Sequence, residues 1–307
     1  MLNPDTIYQR LSTTLKSPLL EKLCGREQQD FLAVVGALTL GILIFHGFPH
    51  VYFAIPFQLL VISYLVWPAL LRQGPFWFVV FLFSTAALWL NWTHADNHKY
   101  LLCYWVFSLF LAFDNGLDRP AFLRRCARYL LFFTMVMAVV QKTLSPDYLS
   151  GDFFEFILMT DSRFSALGSL VTGMEAELFS ENRQLYVRAL DPLLADQATA
   201  TLHSSEALHR LALIITWVNY IDQIAIAIML LLPLSRRGEI FKHLLLMAFI
   251  IPVYAVAPVI GFGWLIIIWG YCLVPNEVAG LRLGYLGLFL LLCVYEFPWL
   301  SLLVYSP

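Results

Sequence analysis

The chain has 307 residues, of which 60% are hydrophobic and only 13% are charged, and its mean hydropathy is +0.74. A soluble domain carries about a quarter charged residues, so this composition excludes an ordinary soluble protein and indicates a polytopic membrane protein. The formal net charge of -2 is uninformative alone, because the distribution of charge matters. We expect a lipid bilayer and no nucleic acid as the environment of this chain.

The first thirty residues are polar and do not have the pattern of a cleavable signal peptide. Asn3 and Pro4 form a plausible helix start, with an N-cap followed by proline at the first helical position. Apolar residues then recur at every fourth position: Ile7, Leu11, Leu15, Leu19 and Leu23. Residues 1–30 are therefore predicted to form an amphipathic helix on a basic membrane face. A packed cytoplasmic helix has the same pattern, and this alternative stays open.

Apolar runs of about 17–25 residues, the length that spans a bilayer as a helix, recur from residue 31 onward. The predicted fold class is all-α: a polytopic membrane helix bundle of nine, or eight, transmembrane helices over residues 31–307. The predicted spans are residues 31–48, 51–72, 76–92, 99–114, 126–142, 208–234, 240–257, 259–274 and 283–305.

The distribution of positive charge sets the predicted orientation. With the N-terminus inside, 13 of the 19 lysine and arginine residues fall on the inner side and six fall on the outer side or its boundary. Cytoplasmic segments carry the excess of positive charge, so we predict the N-terminus inside and, with nine spans, the C-terminus outside. The expected location is a bacterial inner membrane, crossed several times.

The outer segment 143–207 is the one sizeable extramembrane piece in this topology. It is an acidic insertion with ten carboxylates and three arginines, a balance of -7. Its stretch "SENRQLYVRALDPLL" is typical of a short amphipathic helix stopped by Pro192. An acidic face of this kind could dock a protein partner, and this possibility underlies the alternative function below.

Four histidines on the predicted outer half occur in two HxxxH pairs: His46 with His50 in "HGFPH", and His94 with His98 in "HADNH". On a helix such a pair shares a face and can ligate one metal ion. Pro49 breaks helicity within the first pair, and interfacial histidines often bond to loop carbonyls. We therefore favour carbonyl hydrogen bonds over a metal for these residues.

Three ionisable side chains lie within or at the ends of the apolar spans, where a charge is costly, and their positions require an explanation: Lys142, Asp222 and Glu296. Asp222 shares a helical face with Asn219 and Gln223, and a carboxylate at mid-span costs about 2.5–3.5 kcal/mol. Lys142 lies 14 residues beyond Arg128, about 21 Å above it along the helix. Lysines commonly snorkel at span ends. A lysine held in an apolar pocket, however, loses its proton more easily and can act as a general base.

Two motifs in this region resemble those of a known family. "DNHKYLL" (residues 96–102) is similar to the Asn-His-x-Tyr-Leu element of vitamin K-dependent gamma-carboxylase and its bacterial relatives, the horizontally transferred transmembrane (HTTM) family. "VVQKTLSPDYLSGDFF" resembles that family's next element, a span ending in lysine followed by an aromatic residue and glycine. The resemblance covers residues 30–275, and its specific motifs amount to about twenty residues.

The resemblance implies a site that faces away from the cytoplasm. In the carboxylase, oxidation of a reduced naphthoquinone yields a strong base, which removes a proton from glutamate before carbon dioxide is added. By this resemblance Lys142 would be the base that activates the quinol, and Asn97 and His98 would support or orient it. We expect Gln141, Tyr148, Asp222 and Glu296 to line the quinone site with Lys142.

The leading hypothesis is a quinone-linked membrane enzyme, a carboxylase-like lyase or an oxidoreductase. We expect no counterpart in this chain of the carboxylase's large lumenal domain, which binds the peptide substrate, and therefore a quinone or lipid-like pocket without peptide carboxylation. One alternative is a non-catalytic membrane subunit or anchor in which Lys142 pairs with Glu296 or with a loop carboxylate. The other is a metal centre at the outer histidines.

Overall fold

The structure of the chain is a computed structural model that describes residues 17–45, 51–114, 118–162, 164–191, 201–256 and 260–296. These residues form fourteen α-helices and no strand, which confirms the all-α class. In chain order the helices are α1 (Pro18–Leu23), α2 (Gln28–Phe45), α3 (Val51–Val66), α4 (Gly74–Leu90), α5 (Asn97–Asp114), α6 (Arg119–Leu144), α7 (Pro146–Leu149), α8 (Asp152–Thr160), α9 (Ser165–Thr172), α10 (Ala176–Leu190), α11 (Glu206–Leu231), α12 (Arg236–Val256), α13 (Ile260–Leu273) and α14 (Leu281–Glu296).

Each of the nine apolar segments predicted from the sequence overlaps one long helix. The segment predicted at 51–72 is divided, because α3 ends at Val66 and a 3₁₀ turn, Pro68–Arg72, follows. Proline disfavours helical conformation in the residue before it, which explains the break at Trp67. The fifth segment begins earlier than predicted, and Asp118 Oδ1 accepts the backbone N–H of Ala121 (3.2 Å) at the start of α6.

One helix in the described part of the chain, α11, has both the length and the composition to cross a membrane, with a mean hydropathy of 1.7. Five shorter apolar stretches of 10–17 residues accompany it: Gln28–Ile44, Ile55–Tyr64, Gly74–Leu90, Gly261–Leu273 and Leu281–Val294. These lengths are at or below the usual length of a membrane span. The number of spans therefore stays a prediction.

The chain divides into two compact units. The first takes Met1–Phe132 and Met229–Pro307, and the second takes Phe133–Ile228. In the first unit α13 is buried on all sides, as expected of a helix that is apolar around its whole circumference. Its core contains large, fully buried aromatic side chains, among them Trp77, Trp105, Trp264, Trp269, Tyr271 and Tyr285. Within this core Trp105 Nε1 donates to Thr39 Oγ1 (3.0 Å), which joins α5 to α2.

The second unit contains the end of α6, the short helices α7–α10 and most of α11. Phe156 of α8 packs edge-on against Tyr186 of α10, with ring centroids 5.2 Å apart. The buried side chain of Asn182 bonds the backbone of His203 in both directions, donating to its carbonyl (2.8 Å) and accepting from its N–H (2.7 Å). The acidic insertion predicted at 143–207 therefore has its own helical packing within this unit.

Candidate functional site

The amine of Lys142, in the last turn of α6, is held by two amide side chains of α11. Lys142 Nζ donates to Gln223 Oε1 (2.7 Å) and to Asn219 Oδ1 (3.3 Å). Asn219 and Gln223 are four residues apart and so lie on one face of their helix. All of these residues belong to the second unit. Lys142 is half-buried and is fixed by the opposite helix instead of reaching freely into water.

Next to these contacts, the hydroxyls of Thr143 and Tyr220 lie 2.8 Å apart and form a hydrogen bond between α6 and α11. Thr143 follows Lys142 in the chain, and Tyr220 follows Asn219. The two helices are thus joined by adjacent polar contacts. This fixes the rotation of α6 that turns Lys142 toward α11.

An aromatic cluster lies beside the amine. Lys142 Nζ is 4.9 Å from the ring centroid of Tyr148, within the range of a cation–π contact. Tyr148 is in α7, which begins with Pro146 at its first position, and its side chain is only 5% exposed. Its ring centroid is 5.6 Å from those of both Phe153 and Phe154. The lysine therefore lies beside a wall of three aromatic rings.

Tyr148 contributes a buried hydroxyl to this wall. Burial raises the pKa of Tyr148, so its phenol keeps its proton at neutral pH. Among the described residues, the Oη of Tyr148 and the Oγ1 of Thr216 are buried without a hydrogen-bond partner. Thr216 lies on the same face of α11 as Asn219 and Gln223. Since buried polar atoms are normally paired, these two hydroxyls are suited to a polar ligand.

The amine has neutral partners in the described part of the chain, where no carboxylate lies within salt-bridge distance of Lys142 Nζ. A carboxylate partner would stabilise the charged ammonium, whereas amide oxygens and an aromatic ring do so less strongly. A lysine in such surroundings can release its proton and then serve as a general base. The loop carboxylates described in this structure thus do not supply the ion pair of the alternative hypothesis.

The remaining predicted site residues lie elsewhere. Gln141 and Asn97 are exposed, and Asp222 is half-buried on α11, beside the amides that hold Lys142. His98 is buried, with its ring 5.7 Å from that of Phe262. It belongs to the first unit and Lys142 to the second, so a shared pocket for the two stays a prediction. Outside the described residues lie His46 and His50, together with the side chains of His94 and Glu296.

On the polar face of α11 the sequence predicts Asp222 as the site residue, whereas the structure brings Asn219 and Gln223 to Lys142. The spacing of four residues between Asn219 and Gln223 is the sequence feature that places both amides on one face of α11. A carboxylate within an apolar helix has a larger burial cost than an amide, so the sequence pattern favours Asp222 over its amide neighbours.

No protein-family model, curated protein or solved structure matches this chain. The family resemblance therefore continues to rest on the motifs around His98 and Lys142.

Proposed function

We propose that the chain is an integral membrane protein of the HTTM type that binds a quinone beside Lys142 and uses this lysine as a base. The observation that carries the proposal is the amine of Lys142, held by Gln223 Oε1 at 2.7 Å and Asn219 Oδ1 at 3.3 Å, with neutral partners and an aromatic wall. A base needs a fixed position, which these contacts provide, and none of these partners carries a counter-charge that would hold the proton on the amine.

The residues present fit a planar aromatic ligand with polar groups at its edge. The rings of Tyr148, Phe153 and Phe154 provide surfaces on which a quinone ring can stack. The buried hydroxyls of Tyr148 and Thr216 provide donors for ring oxygens. When bound, a reduced quinone supplies an oxidisable ring.

Each protein residue then has a distinct role. Lys142 accepts the proton from a ring hydroxyl at its Nζ, and the amides of Asn219 and Gln223 position the amine for this transfer. The protonated Tyr148 donates a hydrogen bond toward the ring oxygen on which negative charge develops. His98 and Asn97 join this site in the proposal through the family resemblance alone.

The proposed membrane location is supported by apolar surface as well as by composition. Large apolar side chains of α3 are exposed, including Ile55 (52%), Leu59 (57%) and Ile62 (53%). A contiguous apolar surface is uncommon on soluble monomers and fits contact with lipid. The nine long helices, Lys142 at the end of α6 and the acidic insertion that follows are consistent with the predicted topology of nine spans.

Quinone binding is the direct test. The full chain, purified in detergent micelles, is expected to carry a naphthoquinone that is detected by mass spectrometry after solvent extraction. Lys142→Ala is expected to lose it, because the amine and its two amides form one edge of the site. Lys22→Met, which changes an exposed lysine of the first unit, is the matched control and is expected to keep the quinone.

Tyr148→Phe provides a milder variant that keeps the aromatic wall and removes only the buried hydroxyl. It is expected to fold normally and to bind naphthoquinone more weakly. If the wild-type protein carries no quinone and takes none up when a naphthoquinone is added, the proposal is wrong. Equal quinone occupancy in the wild type and in folded Lys142→Ala would also contradict it.

A further inference from the structure

A second polar cluster lies at the N-terminal ends of α8 and α11. We propose that Asp152, Glu155 and His209 form a binding site for a divalent transition-metal ion of the zinc class. Their ligating atoms, one from each side chain, all lie within 4.8 Å of one another. All three residues belong to the second unit, so the proposal depends on the packing of that unit alone.

The donor set is that of a zinc site. Zinc binds imidazole nitrogen and carboxylate oxygen at about 2.0–2.2 Å, and catalytic zinc sites commonly use three protein ligands with water in the fourth position. His209 Nδ1 lies 2.5 Å from Glu155 Oε2. Two ligands of one tetrahedral zinc ion are about 3.4 Å apart. Zinc binding therefore displaces the proton between His209 Nδ1 and Glu155 Oε2. The two side chains need only a small rotation to reach the separation of zinc ligands.

Helix geometry brings the three ligands together. Asp152 and Glu155 are three residues apart in the first turn of α8 and so share a face of that helix. His209 is in the first turn of α11. Gly151 precedes α8 with a φ of +90°, and a Cβ at this position would lie 3.0 Å from Leu213 Cδ2 on α11. The close approach of α8 to α11 thus depends on the glycine that precedes the two carboxylates.

Each carboxylate is also oriented by a serine. Ser150 Oγ donates to Asp152 Oδ2 (2.6 Å), and Ser204 Oγ donates to Glu155 Oε1. Hydrogen bonds of this kind to ligating side chains fix their direction and raise metal affinity. One oxygen of each carboxylate is thereby engaged by a serine, and the second oxygen of Glu155 lies against His209 Nδ1.

The site is accessible to a metal ion and to water. Asp152 is exposed, and the side chains of His209 and Glu155 are 39% and 16% exposed. An ion here would neutralise two carboxylates of an insertion that carries a balance of -7. It would also link α8 to α11, and so stabilise the unit that holds Lys142. This inference does not depend on quinone binding, so either proposal can fail without the other.

The matched control is a neighbouring histidine. His203 Nε2 lies 3.4 Å from Glu181 Oε2, and the two side chains are 48% and 58% exposed. This pair resembles His209 with Glu155, but in the described part of the chain no third ligand completes a group with it. His203→Gln therefore removes an imidazole next to a glutamate without touching the proposed site.

The experiment measures zinc binding to the full chain in detergent micelles, stripped with a chelator and titrated with zinc chloride against a chromophoric zinc indicator. Wild type and His203→Gln are expected to bind about one zinc ion per chain with equal affinity. Ser204→Ala is expected to weaken binding by about 10–100-fold, as loss of an orienting hydrogen bond does elsewhere. His209→Gln and Glu155→Gln are expected to weaken it further.

If the His209 variant does not fold, X-ray absorption of zinc bound to the wild-type protein still tests the proposal. X-ray absorption of the wild-type zinc complex is expected to show a first shell of one imidazole nitrogen with oxygen ligands. A shell of oxygen alone, no uptake of zinc by the wild type, or equal loss of affinity in His203→Gln and His209→Gln would each overturn the proposal.

Discussion

At the scale of single residues, Arg282 shows how the first unit accommodates a charge in its core. Its side chain is fully buried, and Nη1 donates to the carbonyls of Cys24 and Gly25, both at 2.6 Å. Nη2 donates to the carbonyl of Val274 (2.8 Å) and to Asn276 Oδ1 (3.0 Å). The guanidinium therefore ties the segment after α1 to the turn before α14.

Arg282→Lys is expected to lower the free energy of unfolding by about 2–3 kcal/mol, because an ammonium cannot reach all of these acceptors and hydrogen bonds to charged groups are each worth about 1.5–3 kcal/mol. Thermal unfolding in micelles measures this as a lower melting temperature. Arg237→Lys, at an exposed position, is the control and should leave the melting temperature unchanged. Equal melting temperatures for the two variants would show that the buried contacts contribute little.

Sequence reasoning identified Lys142 from its place at the end of an apolar run and Tyr148 through the family resemblance, and the structure brings the two together. It could not identify the residues that hold the amine. Those residues lie 77 and 81 positions further along the chain, and their contact depends on the rotation of α6 against α11. Nor did it single out the metal-like cluster, because His209 lies 54 positions beyond Glu155 in the chain.

At the scale of helices, the glycines that break the second unit into short elements differ in an informative way. Gly151 and Gly173 both have positive φ, +90° and +71°. An added Cβ at Gly151 would meet Leu213 at 3.0 Å, whereas at Gly173 nothing lies within 4 Å. Gly151 is therefore required both by its positive φ and by its close packing against Leu213. Gly173 is required only by its positive φ.

Gly173→Ala is expected to lower the free energy of unfolding by about 1 kcal/mol, the cost of left-handed backbone in a residue with a Cβ. Gly151→Ala is expected to cost more, because the methyl group also pushes α8 away from α11. Gly287→Ala, in a helix with open space around the added Cβ, is the control and should be neutral or slightly stabilising. Chemical unfolding of the purified protein measures all three. Equal effects at Gly151 and Gly173 would contradict the close packing.

The helices themselves were largely predictable, because their apolar runs are long and periodicity is the strongest signal that a sequence carries. Of the short helices after Lys142, α10 was indicated by its amphipathic pattern. By contrast, α9 (Ser165–Thr172) was not predicted, since it is only eight residues long and is held by tertiary packing, in which Gly168 lies close to the ring of Phe179. Packing, more than local propensity, defines elements of that length.

At the scale of the whole molecule, composition, charge distribution and exposed apolar surface support a membrane protein, and two compact units divide the chain. The boundaries of these units fall within α6 and α11, at Phe133 and Ile228, and so could not be found from linkers or changes in composition. In the proposed function the second unit supplies the base, the amides and the aromatic wall. The first unit supplies apolar helices for the bilayer.

Oxygen-dependent consumption of a reduced naphthoquinone by the purified protein in micelles tests the role of Lys142 most directly. We expect the wild type to consume the quinol, and Lys142→Met to do so about 10²–10⁴-fold more slowly, the usual contribution of a general base. A free primary amine added to Lys142→Ala should restore part of the rate, and Lys22→Met should match the wild type. A folded Lys142→Met that consumes quinol at the wild-type rate would contradict the proposed function.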